Sequence, residues 1–280
     1  MSFDDRDIAK AAELIAQADG LIVAAGAGMG VDSGLPDFRG NEGFWNAYPA
    51  LGKRGLSFQE IASPHSFVAT PRLAWGFYGH RLAMYRSVKP HEGFQALKRW
   101  GDATLQGTAV FTSNVDGHFQ AAGFPDQWIE ECHGSIHHLQ CSKPCRPDIW
   151  PADGFLPRVD VEPCELVNEP PHCPHCGALA RPNVLMFNDW EWVAGRQAEQ
   201  HRRLQNWLAH LERPVVVEIG AGSIIPSVRE FSHRAIKEHH GRLIRINATD
   251  AQVPSSLDVG LHGRGLPALM AIDEHWRQLS

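Results

Sequence analysis

Long apolar runs are missing from this chain. No stretch approaches the roughly 20 residues that cross a bilayer as a helix, so a membrane partner is not expected. The opening residues, Met1-Ser2-Phe3-Asp4-Asp5-Arg6, lack the basic and apolar blocks of a secretory signal, and a cytoplasmic location is expected. A surplus of positive charge is missing as well. The 26 Lys and Arg face 32 Asp and Glu, for a formal net charge of −6, so no direct attraction to nucleic acid is indicated. What remains is the composition of a globular protein, 43% hydrophobic and 21% charged. Its 280 residues suffice for one large core with or without a small appendage.

Cysteine is scarce, and its placement is uneven. Cys141 and Cys145 are separated by three residues, Cys173 and Cys176 by two; Cys132 and Cys164 stand apart. In a cytosolic chain such pairs point to metal sooner than to disulfides. Two sulfur pairs supply four thiolates, which close the tetrahedral shell of one structural Zn2+ and leave no open position for chemistry. Residues 139–180 around them are rich in proline and lack regular periodicity, and so small an insert needs such a staple. Cys164, His172 and His175 are spare candidates, and Cys132 reads as a small buried residue.

The chain is organised around L-I-V-A-A-G-A-G-M-G-V-D-S-G-L-P-D-F-R-G, residues 21–40. An apolar strand at 21–25 runs into Gly26, Gly28 and Gly30. A strand, a glycine-rich turn and a helix start are how a parallel α/β sheet presents backbone to a phosphate, although the same spacing serves a merely structural turn. Pro36, Asp37, Phe38 and Arg39 follow, and an Arg can clamp a pyrophosphate bidentately.

Downstream, periodicity predicts helices over 7–18, 71–87, 90–100, 195–211, 226–239 and 265–279, and strands over 108–113, 128–131, 214–219, 243–247 and 257–263. Residues 41–50 read as an aromatic-rich loop, either a lid or the packing of a small subdomain. Residues 181–192 read as a return to the sheet. Two polar groups stand where strands end: Asn114 and Asp116 after the 108–113 strand, and His133 after the 128–131 strand. Ligands of open α/β sheets sit at strand carboxyl ends; capping of the next helix is the plainer role for Asn or Asp there. Tyr78 and Arg81, three apart, share a helix face that suits a carboxylate or is simply a solvated Arg over a packed Tyr. Tyr85-Arg86 has the wrong spacing and is assigned to the surface.

These stretches resemble the sirtuin family, and do so in the family's order from about residue 7 to 275. Residues 26–39 resemble its G-A-G-x-S-x-x-S-G-I-P-D-F-R signature, with Gly30 for Ser or Ala and Leu35 for Ile. T-S-N-V-D-G at 112–117 resembles T-Q-N-I-D-G, with Ser113 for Gln, and E-C-H-G at 131–134 resembles E-x-H-G. The resemblance implies a doubly wound, Rossmann-like parallel sheet built from 1–40, 90–138 and 181–280. A helical subdomain at 41–89 and a zinc module at 139–180 would form a smaller lobe.

The implied activity is NAD-dependent deacylation of protein lysine, with NAD consumed and nicotinamide and O-acyl-ADP-ribose released. His133 is implied as general base, with Asn114 and Asp116 positioning the reacting groups. Gly26, Ala27, Gly28, Asp37, Phe38, Arg39, Ser113, Gly220, Ser223 and Asn247 are implied to contact the dinucleotide. Ala221-Gly222 depart from the family's G-T-S there. Val184 and Phe187 are implied to pair with the acyl-lysine substrate, beside Asn183 for Asp and Asn188-Asp189 for Gly-Glu. Tyr78 and Arg81 match a subclass that removes acidic acyl groups such as succinyl. The departures keep two alternatives open: ADP-ribosyl transfer or NAD hydrolysis on the same scaffold, and a binding module that senses NAD.

Overall fold

The computed structural model describes residues 3–36 and 40–279. Its strands are β1 (Leu21–Ala25), β2 (Thr108–Thr112), β3 (Ile129–Glu131), β4 (Gly134–Cys141), β5 (Ile149–Pro151), β6 (Val159–Asp160), β7 (Glu165–Leu166), β8 (Ala180–Val184), β9 (Val215–Ile219), β10 (Arg242–Asn247) and β11 (Val259–His262). The helices are α1 (Asp5–Ala16), α2 (Gly28–Val31), α3 (Gly40–Ala47), α4 (Pro49–Lys53), α5 (Phe58–Ile61), α6 (Pro64–Ala69), α7 (Pro71–Ser87), α8 (Glu92–Asp102), α9 (His118–Ala121), α10 (Gly195–Leu208), α11 (Ser227–Glu238) and α12 (Gly265–Leu279).

Six strands form one sheet in the order β11-β10-β9-β1-β2-β3, and every neighbouring pair is parallel. Helices cover both faces, so β1 and β9 are buried along their whole length; that is why both read as unbroken apolar runs instead of alternating ones. Chain direction reverses at β1, with β2 on one side and β9 on the other. This is the switch point at which open α/β sheets bind ligands. The registers keep the strand ends level: Ala25 lies beside both Thr112 and Ile219, Thr112 beside Glu131, and Ile219 beside Ile246. The loops after five strands therefore share one edge.

A buried ion pair interrupts the apolar pattern of β9 and β10. Glu218 in β9 is directly opposite Arg245 in β10, and Arg245 Nε donates to Glu218 Oε1 at 2.6 Å. Burial of either charge depends on the other.

The segment expected to rejoin the parallel sheet does not do so. Ala180–Val184 pairs antiparallel with β4, in a separate sheet ordered β5-β4-β8. The chain leaves the main sheet at Gly134, whose φ of +77° and whose Cβ position, 2.1 Å from the Asn183 carbonyl oxygen, admit only glycine. The aromatic stretch expected as a loop is helical, as α3 and α4. Phe44 and Tyr48 are buried there, with Phe44 edge-on to Phe77 at 5.8 Å and Tyr48 at 5.0 Å. They belong to a second apolar cluster that joins α7 to β4, Ala152, Phe155, Cys164 and Leu166. The first cluster lies under the main sheet, among α1, α8 and α12.

Candidate active site

Two turns meet at the level edge of the sheet. Gly26 N–H donates to the Ile219 carbonyl at 2.9 Å, and Gly28 N–H donates to the Gly220 carbonyl at 3.1 Å. Gly220 has φ +61°, and a Cβ on it would lie 2.3 Å from Gly28 Cα; one on Gly26 would lie 2.7 Å from the Gly220 oxygen. Glycine is required because two main chains touch, and Ala27 between them is exposed. Gly220→Ala should therefore cost about 2 kcal/mol or more, seen as a lower urea midpoint. Gly222→Ala, with open space around it, should stay within about 0.5 kcal/mol. Equal effects at the two positions would contradict the close approach.

Gly30 has a different reason. A Cβ there would lie 2.9 Å from Leu35 Cδ1, so the two departures from the sirtuin signature, at 30 and 35, touch one another. Asp37, Phe38 and Arg39 lie outside the described residues.

The loop after β2 is tied to this turn. Thr112 Oγ1 donates to the Ala25 carbonyl at 2.9 Å and accepts the Asn114 N–H at 3.0 Å, while Asn114 Nδ2 donates to the Gly26 carbonyl at 3.0 Å. Ser113 N–H donates to the Ala25 carbonyl at 3.1 Å. Buried Asp116 accepts the His118 N–H at 2.9 Å, and its carbonyl lies 2.8 Å from His137 Nε2. His133 follows β3. Its carbonyl accepts the Leu185 N–H at 2.9 Å, and its Nε2 lies 3.4 Å from Ser227 Oγ at the start of α11. Burial pushes the His133 pKa below the ordinary histidine value, against a smaller upward pull from a hydrogen bond to the Ser113 backbone. Its neutral form thus persists in mildly acidic solution, as a proton acceptor requires. Cys132 is partly buried and burial raises its thiol pKa, in keeping with a packing role.

On the far side of the edge, Asn247 is buried. Its Nδ2 donates to the Ala221 carbonyl at 2.8 Å and its Oδ1 accepts the Thr249 N–H at 3.0 Å, so its side chain ties two rim loops together. Ser223 is exposed on the β9–α11 loop. Val184 is buried opposite Gly134, and Phe187 N–H donates to the Ala62 carbonyl at 2.9 Å. The departures nearby make the following contacts. Asn188 adopts φ +55°, a conformation Asn tolerates after Gly. Asp189 takes both Nη1 and Nη2 of buried Arg181 at 2.8 Å, and Asn183 Nδ2 donates to Gln140 Oε1 at 2.9 Å.

Tyr78 and Arg81 are both buried on α7, with the Arg81 guanidinium carbon 5.6 Å from the Tyr78 ring; burial raises the Tyr78 pKa to about 12. The surface assignment of Tyr85-Arg86 is wrong for Tyr85. It is buried, and its hydroxyl accepts from Arg81 Nε at 3.0 Å. Arg86 is exposed, but donates to the Phe155 and Ala152 carbonyls at 2.8 and 2.9 Å. Sequence reasoning missed Tyr85 although its i+4 spacing from Arg81 was legible. Ser227 carried no local signal.

The sulfur atoms of Cys141, Cys145, Cys173 and Cys176 all lie within 4.8 Å of one another, with Cys141–Cys176 and Cys145–Cys173 at 3.7 Å. Zn–S bonds of about 2.3 Å in a tetrahedron set S···S separations near 3.8 Å, so the four residues fit the ion. The spare candidates lie elsewhere: His172 on the Gly177 carbonyl, His175 on Asp148 and Cys164 against α7.

The Sir2 family model matches residues 26–206, well over half of the chain. The chain belongs to the Sir2 family. Proteins named NAD-dependent protein deacylase from Pyrococcus abyssi and Thermococcus kodakarensis are 29% and 30% identical to it. The first alignment covers 97% of this chain and 99% of that protein, the second 91% and 90%. Among solved structures, a Sir2 homologue in complex with NAD matches with a TM-score of 0.71 at 23% identity, over 96% of this chain and 94% of that one. Sir2Af2 bound to a myristoylated histone peptide matches at 0.62 and 21% identity, over 98% of each chain. At those identities the structural matches speak for the Sir2 fold. Among the described residues no helix is long and apolar enough to cross a membrane.

Proposed function

We propose that this Sir2 family chain is an NAD-dependent protein-lysine deacylase acting in the cytoplasm. The observation that carries the reading is the placement of a half-buried, neutral-leaning histidine, His133, at the same sheet edge as the paired glycine turns and Asn114 and Asp116. The names of the curated relatives support it.

NAD is a substrate in this reaction. Its nicotinamide–ribose bond breaks through an oxocarbenium-like state, and the acyl oxygen of a modified lysine bonds to the anomeric carbon. His133 takes the proton of a ribose hydroxyl, whose oxygen attacks the resulting imidate; water then completes release of lysine and O-acyl-ADP-ribose. Asn114 and Asp116 position ribose and nicotinamide. The turn at Gly26, Ala27 and Gly28 against Gly220 holds the phosphates, and the sirtuin signature assigns Asp37, Phe38 and Arg39 to the dinucleotide as well. Ser113, Ser223 and Asn247 serve the ribose groups. Val184 and Phe187 meet the substrate peptide, and Tyr78 and Arg81 line the acyl pocket. Cys141, Cys145, Cys173 and Cys176 hold one structural Zn2+, which fixes the 139–180 module and takes no part in the chemistry.

The neutral form of His133 is the active base, and burial favours it. The acidic limb of kcat/KM should therefore fall below the unperturbed histidine value of about 6.5; a limb at or above it contradicts this assignment.

One observation favours a second reading, ADP-ribosyl transfer or NAD hydrolysis. Ala221 and Gly222 put no hydroxyl where the family has two, and the Ala221 methyl is buried. Nicotinamide release measured with and without acyl-lysine peptide separates the readings. Release that requires the peptide, one for one with acyl loss, supports the deacylase. Release without peptide supports hydrolysis, and NAD binding without release supports a sensing module.

A further inference from the structure

The two hydroxyls that the family has after β9 are absent here, and a different device holds this part of the rim. Arg229, in the first turn of α11, reaches acceptors on two loops. Its Nη1 donates to Asp250 Oδ2 at 2.7 Å, its Nη2 to the Asp250 carbonyl at 2.7 Å and its Nε to the Ala221 carbonyl at 3.4 Å. The Ala221 carbonyl also accepts from Asn247 Nδ2, while Asn247 Oδ1 accepts the N–H groups of Thr249 and Asp250 at 3.0 and 3.3 Å. Helix α11, the loop after β9 and the loop after β10 are thus one hydrogen-bonded block. The block abuts the glycine turns: Gly220 N–H donates to the Ile246 carbonyl at 3.0 Å, and the Gly220 carbonyl accepts from Gly28 N–H. A guanidinium is planar and presents its donors in fixed directions, so one residue sets the spacing of both loops. The Arg229 side chain is 12% exposed and that of Asp250 46%. An ion pair with so exposed a carboxylate contributes little to stability.

We propose that Arg229 is a positioning residue for the adenosine end of NAD. The sheet order places that end. His133 and Asn114 follow β3 and β2, the phosphate turns follow β1 and β9, and a dinucleotide laid across the switch point brings its other end over β9 and β10. Arg229 holds residues 247–250 against Ala221, so this end of the rim is formed before the dinucleotide arrives. It touches no part of NAD and acts through the two loops. The proposal rests on the reading of this edge as an NAD site.

The test measures ADP-ribose binding by calorimetry for wild type, Arg229→Met, Asp250→Ala and the double variant, together with inhibition of turnover by nicotinamide. Met keeps the stem and removes the guanidinium; the Ala221 carbonyl retains Asn247 as its donor and Asp250 retains solvent, so the fold should survive. Arg229→Met should raise the Kd of ADP-ribose about ten-fold, as expected for lost hydrogen bonds to a charged group, and should raise KM for NAD alike. Because the effect is confined to the adenosine end, kcat and the inhibition constant of nicotinamide should stay within about two-fold of wild type. Asp250→Ala should weaken ADP-ribose binding about three-fold, in the range of a half-exposed ion pair, and keeps the test decisive if Arg229→Met does not fold. Added to Arg229→Met it should change nothing further, because the partner is already gone. A Kd unmoved by either single variant, a further three-fold loss in the double variant, or an equal loss of nicotinamide inhibition overturns the proposal and leaves the NAD site standing. A wild type that binds no ADP-ribose overturns that site and the proposal with it.

Discussion

His133→Ala lowers turnover of an acyl-lysine peptide by about 100- to 10,000-fold, the usual cost of removing a general base. The expectation follows from where the side chain sits. It projects from the end of β3 into the rim shared by the two glycine turns, with Nε2 3.4 Å from Ser227 Oγ. The neighbouring main chain does not need it, because Leu185 N–H bonds the His133 carbonyl, which alanine retains. The melting temperature should thus stay near that of wild type while kcat collapses, and NAD should still bind. Deacylation within ten-fold of wild type would remove His133 from the role. A collapse accompanied by unfolding would be uninformative about chemistry, so both quantities are measured on the same preparation.

Removing the metal has the second large effect, and it acts on stability first. Purified protein should carry one Zn2+ per chain, and Cys173→Ser should abolish stoichiometric binding. Binding free energies of structural zinc reach roughly 10–16 kcal/mol in small peptides, against a typical domain stability of about 5–15 kcal/mol. The module around Cys141, Cys145, Cys173 and Cys176 has short strands and little core, so a chelator should unfold it. The loss should spread. β4 and β8 pair from Cys141–Ala180 through to Gly134–Val184, next to His133, and the second apolar cluster joins the module to α7. The cluster beneath the parallel sheet draws no residue from 139–180. Chelation should therefore abolish activity and melt part of the molecule in a separate, earlier transition. A metal-free protein with a single unchanged transition contradicts a structural role.

Legibility in the sequence tracked how local each determinant was. The strands at 21–25 and 108–112 and the helix at 71–87 were plain, because apolar runs and helical periodicity record burial directly. The four clustered cysteines were plain because tetrahedral sulfur coordination restricts spacing. Partner choice was not local. Ala180–Val184, with Arg181 and Asn183 in it, carries no apolar run to name its partner, and it pairs antiparallel with β4 where Gly134 turns the chain away from the main sheet. Residues 41–50 read as an aromatic-rich loop, and are helical with Phe44 and Tyr48 packed on Phe77, a partner distant in the chain. Tyr85 was passed over because it was paired with the adjacent Arg86 instead of with Arg81, one turn away. The partners of the departures at 183, 188 and 189 were not legible, because a positive φ at Asn188 and the hydrogen bonds of Asn183 and Asp189 depend on residues distant in the chain or on local backbone geometry.

The most direct test of the central claim is mass spectrometry of the products formed from NAD and a matched pair of acetyl- and succinyl-lysine peptides. The account predicts free lysine peptide, nicotinamide and O-acyl-ADP-ribose in equal amounts, with the acyl group found on the ribose. Nicotinamide accompanied by ADP-ribose or an ADP-ribosylated protein, with the acyl-lysine intact, contradicts it.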